Sequence, residues 1–471
     1  MSLENLTKQL GIRSGLISIE EQEINIELNI ESDEDGVPVD TTEAPEAQIL
    51  EVQEEEAEID DTAEAQEELE EAHEALENLL ISVEHYRLNG GMSPQIAEEK
   101  YKQLDLITGK WGSLRDSGPS VESFGLESSQ LSATISLENK ITETIKKFWQ
   151  TIVDTVTRLV TQFREWVTKT FNAGTRLKKR AEKIKKMVSD MKSDPSSKDA
   201  SGSTASGVYM TKGSVKEGAE NLLLTVNAAL TKSVDAYKTF AASNETGTVA
   251  AAAASETKEG EFDMSGITRI MSVYTAVTYG GGSVAGSVPG QTLTVGKPLP
   301  GGRVFGVTDM KTSVKFRSDI EGVGLAKKWI NKIEGKVVTS VSKETLKKAK
   351  VKYLSSADAT AVCDSVIAIA TTIENFKNKF AEREKVGKEI TDFAKKQTTA
   401  AKDADGKNVA LVKANIQIAQ TLWSRLSQID KSVLGAGLTI SNSLLNFVSS
   451  SISAGKGEEK KDDDKKEDDK K

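Results

Sequence analysis

A single cysteine, Cys363, serves the whole chain of 471 residues, so no intramolecular disulfide can form. Only two histidines occur, His73 and His85, too few for a Cys/His zinc cluster. Both precede residue 128, so the rest of the chain lacks the imidazole that activates a serine or cysteine in the common catalytic triads. Proline is scarce as well, 8 in all and none beyond Pro300, which leaves the C-terminal part free of the strongest helix breaker. Aromatic residues make up 5% and hydrophobic residues 37%, thin for the roughly three domains that the length suggests. No uninterrupted apolar run reaches ~18 residues, so no transmembrane helix is expected. The segment Met1–Leu6 has neither the charged start nor the apolar run of a secretory signal, and an intracellular or intravirion protein is expected.

Charge is abundant but unevenly placed. The chain carries 61 Lys or Arg against 72 Asp or Glu, a net of −11. Residues 1–127 hold 33 acids and 7 bases, a net of −26. Residues 128–455 hold 47 bases and 31 acids, a net of +16, and the tail from Lys456 to Lys471 is close to neutral. An acidic segment is thus joined to a basic body. The two attract each other, and the body alone would seek a polyanion.

Texture divides the chain further. Residues 1–60 are acidic and poor in apolar side chains, which predicts disorder. Residues 61–111 read as an acidic helical hairpin: Leu69, Leu76, Leu79 and Val83 mark a first helix, Asn89-Gly90-Gly91 stops it, and Ser93-Pro94 starts a second. A linker at 112–127 is rich in Gly and Ser, and the charge changes sign just after it. Residues 128–261 carry basic amphipathic helices. Leu137, Ile141, Ile145, Phe148, Ile152, Val156, Leu159, Phe163 and Val167 step by three or four residues, one apolar face ~45 Å long with Trp149 and Trp166 beside it. A second helix, Thr175–Lys192, puts eight bases in eighteen residues, among them Arg176, Lys178, Lys179, Arg180, Lys183, Lys185 and Lys186. A glycine-rich insert at 262–322 suggests β-hairpins around Gln291–Val295 and Arg303–Val307. Residues 323–455 return to helical spacing in Leu325–Val338, Ala357–Lys396 and Val409–Val448, the last two forming an antiparallel hairpin. The mixed-charge tail 456–471 is expected to be disordered. The fold class is mainly α: an acidic helical hairpin, then a basic helical bundle with a small Gly-rich, β-containing insert.

No catalytic constellation emerges. Every Gly-Lys pair is followed by a residue other than Ser or Thr, so no phosphate-binding Walker loop is present. Gly282–Gly286 approaches the nucleophile-elbow pattern, but no histidine is at hand. The chain reads as a non-enzyme without metal or cofactor. Three uses fit the basic amphipathic body. It could neutralise nucleic-acid phosphates, with affinity falling steeply with salt. It could lie on a membrane surface through its apolar stripe. Or the stripe could simply pack against Ala357–Lys396 and Val409–Val448, leaving the bases in solvent. Packing is compatible with DNA binding but not with membrane insertion.

The succession of an acidic hairpin, Pro119-Ser120-Val121-Glu122-Ser123-Phe124-Gly125, and Ile135-Ser136-Leu137-Glu138 leading into a Trp-bearing basic helix resembles the internal head (prohead core) proteins of large contractile-tailed bacteriophages. The pattern covers roughly residues 60–190; the C-terminal half matches only as helical and basic. The resemblance implies an acidic propeptide removed by the prohead protease, core and capsid proteins as partners, and a basic mature body held in the virion interior with packaged double-stranded DNA. It also implies cleavage after a glutamate with a small or aliphatic residue two positions earlier, which Glu122, Glu127 and Glu138 satisfy. Glu122 and Glu127 rank first because they fall in the linker, whereas Glu138 begins a strong helix. The bases at 176–186 are the DNA-contact candidates. Two alternatives remain, a membrane-active helical protein with an inhibitory acidic pro-region and a scaffold lost from the mature head.

Overall fold

A computed structural model describes residues 45–111, 119–245, 261–263, 282–285, 292–308, 315–317, 320–376, 388 and 406–455. Expectations for 1–44, 112–118, the tail and most of the 262–322 insert and the 377–405 connection lie outside these residues. The protein is mainly α, as its periodicity predicts. Its described part forms two compact units, one from Ala57–Gln162 and one from residues up to Glu56 together with those from Phe163 onward.

The first unit joins the acidic hairpin to the start of the basic helix. Helix α1 is Pro45–Leu88, α2 is Pro94–Thr108 and α3 is Glu127–Val188. Helix α1 begins sixteen residues before residue 61, within a stretch whose acid density reads as disorder. Ile49 and Val52 are buried in that early part, and from Ile59 on Thr62, Gln66, Leu69, His73 and Leu76 alternate steps of three and four, the seam of a coiled coil. Polar seam members find local partners, Thr62 Oγ1 donating to the Glu58 carbonyl and Gln66 Nε2 to Glu70. Helix α2 starts as its sequence indicates, with Pro94 at its first turn and the Ser93 side chain accepting from the Ile96 amide. Within this unit Ala97, Tyr101 and Leu104 of α2 and Leu137, Ile141, Phe148, Trp149 and Ile152 of α3 are buried. The His73 and Trp149 rings lie 5.8 Å apart, and Trp111 meets Phe148 edge-on at 5.4 Å.

Helix α3 is one element of 62 residues, about 93 Å along its axis, where the sequence suggests two helices. Residues 168–174 look like a break, with Asn172 and Gly174 among them, yet they stay helical. Gly174 has its reason in the second unit, where a Cβ there would come within 3.3 Å of Ile373. The apolar stripe is buried along its length, and at Phe163, where the second unit begins, its ring meets that of Trp423. In the first unit its neighbours are the acidic hairpin, a partner that the spacing alone did not suggest.

The second unit adds β1 (Asp199–Ala200), α4 (Gly202–Val208), α5 (Val215–Glu245), β2 (Glu261–Asp263), β3 (Ser283–Ala285), β4 (Thr292–Leu299), β5 (Arg303–Thr308), β6 (Lys315–Arg317) and α6 (Ile320–Ile330). It continues with β7 (Gly335–Thr339), α7 (Lys343–Lys347), β8 (Val351–Lys352), α8 (Ser356–Phe376) and α9 (Gly406–Gly455). Four strands form an antiparallel sheet in the order β3-β4-β5-β7. The β4–β5 hairpin lies where glycine and proline placed it. Strand β7 corrects the reading of Leu325–Val338 as one helix: the helix ends at Ile330, and Val337 and Val338 pair with Phe305 and Val304. Gly335 lets β7 approach α9 closely, since a Cβ there would fall 2.8 Å from Ile429.

Leu422, Leu426, Ile429 and Val433 of α9 and Val362, Val366, Ile369 and Ile373 of α8 are buried, the stripes that periodicity picks out. Ser233 donates to the buried Asp430 carboxylate at 2.6 Å, satisfying a charge inside the bundle. Helix α8 is long and apolar enough to cross a membrane by composition, the one such helix among the described residues, but its apolar stripe lies in this core. Cys363 is fully buried, and burial first, then the neighbouring Asp364 charge, pushes its thiol up to about 12. At pH 8 it should therefore resist a thiol reagent in the native protein and react in full once urea unfolds the chain. Comparable labelling with and without urea would show that the α8 packing is wrong.

Candidate nucleic-acid interface and processing region

The three glutamates predicted as processing sites lie in unlike surroundings. Val121–Phe124 is a single 3₁₀ turn in which Ser123 N donates to the Ser120 carbonyl and Gly125 N to the Glu122 carbonyl. Glu122 is exposed on it, while Phe124 is fully buried. The Tyr101 hydroxyl donates to the Pro119 carbonyl, and Ser129 Oγ donates to the Ser123 carbonyl at 2.8 Å. Residues 119–127 are thus folded onto α2 and the start of α3, not extended as a linker would be. Glu127 is exposed as the first residue of α3, next to Leu126, which is 69% exposed. Glu138 is half-buried, its carboxylate 2.7 Å from Arg87 Nε. A protease that reads an extended chain must unfold the short turn to reach Glu122, but must break an ion pair and a helix to reach Glu138.

The predicted DNA-contact bases divide into two groups. Lys178 Nζ is 2.9 Å from Glu374, and Lys185 Nζ is 2.5 Å from Asp364, both in α8. The hydrogen bond to Asp364 holds the Lys185 ammonium above its usual pKa, and the carboxylate charge adds to it. The Arg180 guanidinium donates to Asn442 and Asn446 of α9. These three fasten α3 to the C-terminal helices. Lys179, Lys183 and Lys186 are exposed at i, i+4 and i+7, one solvent face of α3, and Arg176 is half-buried.

Two contacts of the acidic segment were hidden in the sequence. Lys169 Nζ lies 2.5 Å from Glu55 in the third turn of α1, and this hydrogen bond raises the pKa of the ammonium, helped by the charges of Glu55, Glu51 and Glu165. Lys431 Nζ donates to the Glu56 carbonyl at 2.9 Å. The acidic helix therefore lies directly against bases of α3 and α9 within the second unit. Only the recurrence Ile49, Val52, Ile59 hinted that this stretch folds at all.

Among the described residues no group of three or more His, Cys, Asp or Glu is arranged to hold a metal ion. The described residues form a mainly α fold, and the chain carries an excess of acids before residue 128 and an excess of bases between 128 and 455. A family model for phiKZ-like phage internal head proteins matches residues 49–450. The chain belongs to that family and is a structural component of the phage head, located inside the capsid. The match takes in the acidic hairpin, both units and almost all of α9. No curated protein and no solved structure matches the chain.

Proposed function

We propose that the chain is made in the host cytoplasm as a precursor whose acidic segment is cut off by the prohead protease after Glu122 or Glu127. The basic body, from residue 128 on, then stays in the capsid with packaged double-stranded DNA. The observation that carries this reading is the reversal of charge after residue 127, from −26 over residues 1–127 to +16 over 128–455, in a chain of the internal head family. A body with that excess of bases gains affinity for a polyanion through release of condensed counterions. While the acidic segment is attached, it supplies an intramolecular polyanion, with Glu55 on Lys169 as its most direct contact.

The packing adds a step to that scheme. One cut peptide bond does not dissolve the core in which Leu69, Leu76, Tyr101 and Leu104 are buried. Each such side chain is worth about 1.5–3 kcal/mol of burial, so the acidic piece stays seated after cleavage until something displaces it. Incoming DNA competes for the same bases, and its arrival completes the unmasking. The capsid and the other core proteins are the remaining partners in this scheme.

Mass spectrometry of purified mature particles tests the processing. The reading expects a fragment beginning at Ser123 or Ser128 and no peptides from the acidic hairpin. An uncut chain in the particles would overturn the cleavage, and particles without residues 128–455 would make the protein a scaffold instead.

A further inference from the structure

Bases that the charge pattern of α3 did not single out gather elsewhere in the second unit. Between Ser342 and Tyr353 stand Lys343, Lys347, Lys348, Lys350 and Lys352, five lysines against one acid, Glu344. All five are exposed. The β1–β8 pairing brings Lys198 beside them: Asp199 is in register with Lys352, and the Tyr353 amide donates to the Lys198 carbonyl at 3.1 Å. Lys198 is exposed as well, and among the described residues no ion pair involves any of these six lysines. On α3, by contrast, Lys178, Arg180 and Lys185 are tied to partners.

The segment is held firmly from behind. Ala349 and Leu354 are buried, the Leu354 amide donates to Ser451 Oγ at 3.1 Å, and the Tyr353 ring stacks on Phe447 at 6.0 Å and 15°. On the other side Ser340 N and Oγ both donate to the Gly302 carbonyl. Lys343 and Lys347 are one helical turn apart on α7, and Lys352 lies in β8 with Lys350 just before that strand. The result is a rigid rim with lysine side chains free to reach outward. None of the large exposed hydrophobic residues lies in it, so it offers charge without an apolar wedge.

We infer that this lysine rim, Lys198 with Lys343–Lys352, is a binding surface for the phosphate backbone of double-stranded DNA and carries more of that contact than the solvent face of α3. The inference rests on the DNA-associated reading above. Compact, strongly hydrated ammonium groups on flexible stems suit phosphates met in any sequence and register. A membrane-surface site would need apolar side chains among the bases, which the rim does not have.

The test measures how a short mixed-sequence duplex is retained by the full chain across a salt series. Three proteins are compared: wild type, a rim variant with Lys343, Lys347, Lys348, Lys350 and Lys352 each →Gln, and an α3 variant with Lys179→Gln, Lys183→Gln and Lys186→Gln. Each lysine–phosphate contact contributes about 0.9 to the slope of log affinity against log salt. The rim variant should lose ~3–4 of that slope and the α3 variant less than ~1. Circular dichroism should be unchanged in both, since every substituted side chain is exposed. An unchanged slope in the rim variant, with wild type still binding, overturns the inference and leaves the DNA reading standing. No retention of wild type even at the lowest salt overturns both. Vesicles rich in phosphatidylglycerol form the last arm: rim-dependent binding to them that exceeds binding to the duplex would make this a lipid surface and overturn the assignment.

Discussion

Replacing Trp149 by alanine lowers the stability of the first unit by about 3–5 kcal/mol, the range for truncating a fully buried large aromatic. Trp149 is 1% exposed, and its ring faces His73 of the acidic helix. The side chain is therefore shared between the basic helix and the acidic hairpin. Its loss leaves a cavity lined by helices that cannot close together without bending α3. Urea unfolding followed by circular dichroism measures the effect, with the midpoint expected to fall by about 2 M at an ordinary urea dependence. Leu106→Ala is the comparison, since Leu106 is 85% exposed and should cost under ~0.5 kcal/mol. In a chain cut after Glu127, Trp149→Ala should also release the acidic fragment on size exclusion at a salt concentration where the unsubstituted cut chain keeps it. Equal retention by both would mean that burial does not hold the fragment.

Gly91→Ala is expected to cost about 2–4 kcal/mol, from two independent sources. The residue has φ +111°, which L side chains rarely adopt, and a Cβ there would stand 2.7 Å from the Gln130 carbonyl carbon and 2.8 Å from the Leu131 amide nitrogen. Those are backbone atoms of α3, which cannot turn aside as a flexible side chain would. Its neighbour separates the two terms. Gly90 has φ +96° with nothing within 4 Å of an added Cβ, so Gly90→Ala should cost only the backbone share, ~1 kcal/mol. Thermal or urea unfolding of the pair gives the difference. Equal costs would show that the α1–α2 turn does not rest on α3.

These residues also show which parts of the fold local sequence carries. The α2 start was legible because Ser93 and Pro94 act within one turn of themselves. The stripes of α8 and α9 were legible because each is a single face repeated along one helix. The early start of α1 was not, because its glutamates outnumber the buried Ile49, Val52 and Ile59 that fold it, and composition weighs every residue alike. Nor was the continuity of α3 through Gly174, whose value lies in letting Ile373 come close from two hundred residues away. Strand β7 was misread for a related reason. Its pairing with β5 is set by Phe305 and Val304, more than thirty residues earlier, and that partner overrides the helical spacing of Leu325–Val338.

The candidate site follows the same division. Charge reversal near residue 127 needs only counting. Which bases of α3 are free needs their partners, and Glu374, Asp364 and Asn442 are 196, 179 and 262 residues away. The region around Glu122 looked like an open linker because Gly, Ser and Pro dominate it. The buried Phe124 and the Tyr101 contact to Pro119 are what fold it down. The lysines of 343–352 were visible as letters, but Ala349 and Val351 interrupt them, and only the β1–β8 register adds Lys198 to the group.

If the acidic segment restrains a body that binds DNA, removing that segment must change how the body holds a duplex. The purified chain is cut after Glu122 or Glu127, the acidic fragment is displaced in moderate urea at high salt and the urea removed, and retention of a mixed-sequence duplex is followed over a salt series beside uncut chain taken through the same urea step. The stripped body should hold DNA at salt concentrations where the uncut chain has let go, and its affinity should fall more steeply with salt because more phosphates are neutralised. Superimposable curves for the stripped and uncut proteins would show that the acidic segment does not restrain DNA binding.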